Sequence, residues 1–323
     1  MNKFIEIIKN IKINIDFFNK VNKIKLSKNN NFNNFKIIFS KKFIVAKEKK
    51  DIITLSNKIK HFLIIMNEEC KNFNPNLLIK NFSETKFDIS NIKDKDDFFG
   101  TVDIYQNNIG FTIDNFKATY HELFHLSTTD LKNRRCGLTI LGQYGYGIDE
   151  GYTQFLSERY FSETQKDAYI FEVILIKILE KIIGQDNMEN YYFGRSLELL
   201  INDLVKYESK DNVMDFIKNF DLLLKNDISY IENPTDKQKE YFQQLINKIC
   251  NFLFTCLENK VNFILNNNIV NKEILNDLSN TKFTITATYI ETSTKNKHSI
   301  KMFDETKVLK LKNLIKEFKI KSK

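Results

Sequence analysis

Tryptophan is absent from this chain of 323 residues, and proline (2) and glycine (9) are scarce. So little turn-forming chemistry argues against a turn-rich all-β protein and against a disordered or collagen-like one. Long apolar runs are missing too. The most hydrophobic stretch, 168–183, is interrupted by Glu172, Lys177, Glu180 and Lys181, far from the roughly 18 uninterrupted apolar residues of a membrane span. The first residues alternate charge with isoleucine and carry neither an apolar h-region nor a small-residue cleavage site. That predicts no signal peptide and a cytoplasmic protein. Of the four cysteines (Cys70, Cys136, Cys250, Cys256), only the last two lie close together, within a helical pattern, so free buried thiols are expected. The net charge is +8, yet no block of Lys or Arg and no Lys/aromatic repeat stands out, so no specific nucleic-acid partner is expected.

Hydrophobic mass is abundant: 42% of residues are apolar and 29 are Phe, enough to bury a sizeable core. Periodicity predicts a mainly helical α+β protein. Helical spacing runs over 1–22, 51–67, 116–127, 149–161, 196–208, 212–225, 236–267 and 305–321. Strand-like segments are 35–46, 86–92, 98–105, 109–113, 283–291 and 298–303, with an Asn-rich loop at 27–34 and a turn around Pro75. Ser162-Glu163-Thr164-Gln165 has the form of a capping box and predicts the start of a buried helix that ends at Ile183. Three regions follow: a mixed α/β N-terminal lobe over 1–128, a glycine-rich loop and helical lobe over 129–270, and a hairpin with a final helix over 271–323.

One window escapes the general drift towards Asn and Lys. The chain holds 40 Asn, but 134–186 contains none, and 134–165 contains no lysine. The four arginines (Arg134, Arg135, Arg159, Arg195) lie in or just beyond it, with five glycines at 137, 142, 145, 147 and 151. An apolar core would exclude Asn and Lys from 168–183. It does not explain the glycines, which mark backbone at positive φ or in close approach to a neighbour.

Just before this window stands His121-Glu122-Leu123-Phe124-His125, an HExxH pattern. On a helix, residues four apart share a face, so both imidazoles can converge on one metal ion. Zinc suits imidazole, and Glu122 is then placed to take a proton from a water on the metal. A catalytic zinc needs a third protein ligand and an open position.

After 24 intervening residues comes Glu150, in Gly147-Ile148-Asp149-Glu150-Gly151-Tyr152-Thr153. HExxH paired with Asp-Glu-Gly-x-Thr resembles the gluzincin branch of the zincin metallopeptidases, which includes thermolysin and the M1 aminopeptidases. The resemblance covers about forty residues, 116–160. It implies a zincin-like fold with a central HExxH helix, one Zn2+ per chain held by His121, His125 and Glu150, and Glu122 as general base. The implied reaction is hydrolysis of peptide bonds in peptide or protein substrates by a zinc-activated water. Glu150 would sit in the first turn of its helix, at the positive dipole end. Asp149 would cap that helix or accept a histidine N–H. Gluzincins often place a Tyr or His donor at the oxyanion; Tyr144, Tyr146, Tyr191, Tyr192 and His298 are candidates here. The strand over 99–105 would present its edge to an extended peptide, as gluzincin substrate strands do.

The spacing from His125 to Glu150 exceeds the usual one, and the acidic residue four positions after the thermolysin glutamate is Gln154 here. Metzincins are excluded by Leu131 and Thr128 where a histidine and a glycine belong, and Cys70 lacks the glycine-containing context of a deformylase ligand. Cys136 is not expected to be a ligand. Two other readings are a cytosolic regulatory peptidase of the repressor-cleaving kind, whose Ala-rich helix ending in Met-Pro is missing from 152–160, and a non-catalytic zincin-fold binding protein.

Overall fold

Helices carry most of the chain in the computed structural model, and the class is mainly helical α+β. The structure describes residues 44–46, 49–89, 100–105, 108–166, 168–266, 277–290 and 295–321. The helix expected over 1–22, the loop over 27–34 and most of the strand segment over 35–46 lie outside them. Among the described residues no helix is long and apolar enough to cross a membrane. Two compact units divide the chain: Met1–Gly137 with Leu156–Lys166, and Leu138–Phe155 with Asp167–Lys323.

The first unit holds β1 (Ile44–Ala46), α1 (Lys49–Glu69), α2 (Pro75–Glu84), β2 (Thr85–Ile89), β3 (Gly100–Tyr105), β4 (Asn108–Ile113), a 3-10 turn (Phe116–Ala118) and α3 (Thr119–Thr128). The strand order is β1-β2-β4-β3; β1, β2 and β4 run parallel and β3 pairs antiparallel with β4. In this register Phe87 lies opposite Phe111, with ring centroids 5.1 Å apart. The turn around Pro75 falls at 71–72, between α1 and α2, and Pro75 itself opens α2. It occupies the first helical position, where a missing N–H costs nothing, and the Asn74 side chain accepts from the Asn76 amide at 3.0 Å. An aromatic cluster supports α3: Phe62 meets Phe124 edge-on at 4.9 Å, and Phe161 stacks on Tyr120 at 4.1 Å.

Helix α4 (Tyr146–Tyr160) runs through the division of the units, with 146–155 belonging to the second and 156–160 to the first. The second unit continues with α5 (Ile170–Ile183), α6 (Gln185–Gly194), α7 (Leu197–Leu204), α8 (Lys210–Lys225), α9 (Asp236–Asn266), the hairpin β5 (Thr286–Ile290) and β6 (Lys297–Lys301), and α10 (Glu305–Lys321). Its core is again aromatic: Phe171 on α5 meets Phe242 of α9 at 4.9 Å, and Phe216 of α8 stacks on Phe252 at 4.3 Å. Gly184, at φ 96°, ends α5 and α6 follows at once, a helix that the apolar spacing did not announce.

The capping-box expectation fails. Helix α5 starts at Ile170, behind Tyr169 in the left-handed region and without a side-chain cap. The Gln165 amide, which Ser162 would cap, donates instead to the Lys117 carbonyl at 3.3 Å, and the Thr164 hydroxyl between them pairs with Ser157 at 2.5 Å. An amide used in a tertiary contact is no longer available to the capping hydroxyl.

Candidate metal centre

Every residue of α3 is buried. His121 and His125 lie about one turn apart, and their Nε2 atoms face each other at 3.0 Å. Two nitrogens on one tetrahedral zinc, at bonds of about 2.05 Å, stand roughly 3.3 Å apart. The observed pair meets that requirement to within a few tenths of an ångström. The end of α3 is held firmly: Asn81 of α2 donates to the carbonyls of Leu126 and Thr129 at 2.7 Å each, and the Thr129 hydroxyl donates to the His125 carbonyl at 2.8 Å. These bonds satisfy carbonyls that the helix itself leaves unpaired.

Glu122 is 5% exposed and lies beside the start of β3. A Cβ on Gly100 would stand 2.8 Å from its Cγ, so the glycine leaves the room that the glutamate occupies. On the other side of His125, the Cys136 sulfur lies 3.8 Å from Nδ1 and 3.5 Å from the His125 carbonyl. All four cysteines are free and buried.

In the second unit, the window of glycines acquires a physical reason. Gly145 takes φ 98°, and a Cβ there would stand 2.3 Å from the Leu138 carbonyl oxygen. A Cβ on Gly147 would meet the Phe220 carbonyl oxygen at 2.3 Å, and one on Gly151 would meet Glu172 Cβ at 2.7 Å. Close backbone approach, not flexibility, demands glycine here.

Helix α4 starts at Tyr146, three residues before the expected Asp149, so Glu150 lies a turn further in than the first-turn reading placed it. Its N-terminus is served by Asp221 at the far end of α8, which accepts from the amides of Gly145 and Gly147 at 2.9 Å each. Burial raises the Asp221 pKa and these amide donors oppose the rise. A carboxylate at a helix N-terminus is favoured by the dipole as well as by the hydrogen bonds. Asp149 is therefore not the cap. It is 3% exposed, and its Oδ1 accepts from the Leu138 amide at 2.7 Å, which ties the preceding loop to the helix.

Within the first unit the two imidazoles match zinc, and the Cys136 thiol beside His125 is of a kind zinc also accepts; Asp149 and Glu150 belong to the second unit.

The tyrosine candidates fare differently. The Tyr146 hydroxyl accepts from the Gly142 amide at 2.5 Å, and Tyr144 joins the same turn through its carbonyl to the Ile140 amide. Tyr191 donates to Asp203 at 2.6 Å, and the buried Tyr192 pairs with Thr153 at 2.8 Å. His298 sits in β6 stacked on Tyr289. Tyr230, beyond α8, lies in the electrostatic field of Asp227, Glu172 and Glu150. Burial, then those carboxylates, push its pKa up and keep the phenol protonated, although its ring is 52% exposed. Neither Asp221 nor Tyr230 carried a sequence signal: one ends an amphipathic helix, and the other is one of 13 tyrosines.

No protein-family model, curated protein or solved structure matches the chain.

Proposed function

We propose that the protein is a zinc metallopeptidase of gluzincin type, with one zinc per chain on His121, His125 and Glu150. The observation that carries this reading is the facing Nε2 pair on a wholly buried helix, with Glu122 seated in the space beside Gly100. A structural histidine pair does not call for a buried carboxylate between its members. When bound, zinc supplies Lewis acidity and brings the pKa of a coordinated water down to about 7. Glu122 takes the proton of the attacking water on its carboxylate and returns it to the leaving amine. Tyr230 donates its phenolic proton in a hydrogen bond towards the charge that develops on the scissile carbonyl. Among the described strands β3 is an edge, and it offers backbone hydrogen bonds to an extended peptide.

The decisive experiment is metal content of the purified protein by mass spectrometry, for the wild type, Glu150→Ala and Asp149→Ala, beside a peptide-library digestion with Glu122→Gln as control. The expected result is about one zinc per chain, lost with Glu150→Ala and kept with Asp149→Ala, and turnover that disappears in Glu122→Gln. Loss of zinc with Asp149→Ala but not with Glu150→Ala would make Asp149, not Glu150, the third ligand. A folded wild-type protein that takes up no zinc when it is supplied would leave a non-catalytic binding protein as the better reading.

A further inference from the structure

We propose that the β5–β6 hairpin and helix α10 form a docking surface for a membrane rich in anionic lipid. The charge of the chain is spread unevenly. Residues 282–323 hold 11 of its 49 basic residues and only 4 of its 41 acidic ones, so they carry net +7 of the total +8. The lysines stand singly, so no block shows along the chain. The alternation of the hairpin and the repeat of the helix bring them onto outer faces.

In the hairpin, Ala287, Tyr289 and Ile300 are buried, so the alternate residues Ile290, Lys297 and Lys301 lie on the outer face. The register sets Ile290 directly opposite Lys297, and residues so paired share a face. In α10, Val308, Leu311 and Ile315 are buried, and the helical repeat puts Leu309, Lys310 and Lys316 on the other side, where all three are exposed. Among the described residues Lys297, Lys310 and Lys316 have no carboxylate within ion-pair reach, and Lys301 meets Asp304 only at 3.9 Å. Their charge is therefore available to an outside anion.

Two aliphatic side chains decide the kind of partner. Ile290 is 62% exposed and Leu309 is 60% exposed, the two most exposed large apolar residues of the described chain. Each stands beside lysine on its own element. A lipid surface accepts that combination, because the aliphatic groups sink below the headgroups while the ammonium groups meet the phosphates. Nucleic acid is held by arginine forks and by exposed rings on which bases stack. Residues 282–323 contain no arginine; of their described rings Tyr289 and Phe303 are buried, and Phe283 faces Phe303 at 5.3 Å. This surface lies within the second unit and does not rest on the zinc reading.

The test is cosedimentation of the full chain with vesicles of phosphatidylcholine alone and of equal parts phosphatidylcholine and phosphatidylserine, at low and at physiological salt. The wild type is compared with Leu309→Ser and with the double variant Lys310→Gln, Lys316→Gln. The three side chains are exposed, so the variants should fold, which circular dichroism checks. The wild type is expected to bind the anionic vesicles, to stay in solution with phosphatidylcholine alone, and to bind less at the higher salt. Each lysine lost near an anionic surface weakens binding about 5-fold, so the double variant should bind about 25-fold more weakly. Leu309→Ser should bind roughly 5- to 10-fold more weakly at unchanged charge. A wild type that ignores the anionic vesicles, or binds both kinds alike, overturns the proposal, and so does wild-type affinity in either variant. Tighter binding to an RNA or DNA duplex than to the vesicles at the same salt would assign the surface to nucleic acid instead. Zinc content and peptide turnover, measured separately, report on the peptidase reading alone.

Discussion

Replacing Gly100 with alanine tests the placement of the proposed base directly. The new methyl carbon would stand 2.8 Å from Glu122 Cγ and 3.0 Å from both Ile113 Cδ1 and the Thr112 carbonyl oxygen. Carbon atoms rest at about 3.5–4.0 Å, so Glu122 must withdraw by roughly 1 Å. The carbonyl cannot yield easily, because Thr112 is paired with Thr101 in the β3–β4 ladder. Two of the three neighbours are side-chain atoms, so the stability cost falls near the lower end of the usual 1–3 kcal/mol for overpacking, about 1 kcal/mol. Displacing a catalytic group by about 1 Å costs roughly 100-fold in rate. The assay is peptide hydrolysis by wild type and Gly100→Ala, with zinc content and melting temperature measured on the same preparations. The expected outcome is kcat/KM lower by about two orders of magnitude, unchanged zinc and a melting point a few degrees lower. Wild-type turnover in Gly100→Ala would refute the steric argument. Parallel loss of zinc would show that the substitution disrupts the metal site and not the base alone.

Other outcomes follow from the same geometry. Asp221→Ala removes the acceptor of two amides at the head of α4 and should cost about 1–2 kcal/mol in chemical denaturation and weaken zinc binding; an equally stable, equally zinc-loaded variant would contradict the anchoring role. Tyr230→Phe should lower kcat by about 10- to 100-fold and leave KM and zinc content unchanged, and unaltered kcat removes it from the mechanism. Lys260 donates to the carbonyls of Lys181 and Ile182 at 3.0 and 2.7 Å, and burial lowers its pKa to about 8. The unfolded chain keeps that proton up to the ordinary value of 10.5, so this group makes stability rise with pH between 8 and 10.5. In Lys260→Met that part of the slope should vanish in urea titrations at pH 7.5, 9 and 10, and an unchanged slope would show that other groups set it.

The legible parts of the sequence were those governed by short-range periodicity. The amphipathic spacing of Ile52, Leu55, Ile59, Phe62 and Leu63 corresponds to α1, and 236–267 to α9, within a few residues at each end. Pro75 marked the turn but not its own place in it: proline both ends helices and opens them, and only the Asn74 cap decides which. The pattern from Ser162 to Gln165 opens no helix because a cap competes with any tertiary acceptor its amide can reach, and the Gln165 amide reaches the Lys117 carbonyl. The position of Asp149 was ambiguous between cap and support because one carboxylate can serve either, and the contact that decides it runs to Leu138 through a loop no periodicity describes.

By itself the sequence determined that His121, Glu122 and His125 share one helix, that the fold is mainly helical with strands before that helix, and that 137–151 must be glycine-rich for a backbone reason. Those properties depend on residues a few positions apart, whose relative placement the helix and strand repeats dictate. Tertiary structure alone decided which groups meet across long stretches of chain. It set Gly100 against Glu122, Asp221 beneath Gly145 and Gly147, and Gly151 against Glu172. Residues tens of positions apart carry no common period, so their meeting follows from how whole elements pack and cannot be read along the chain.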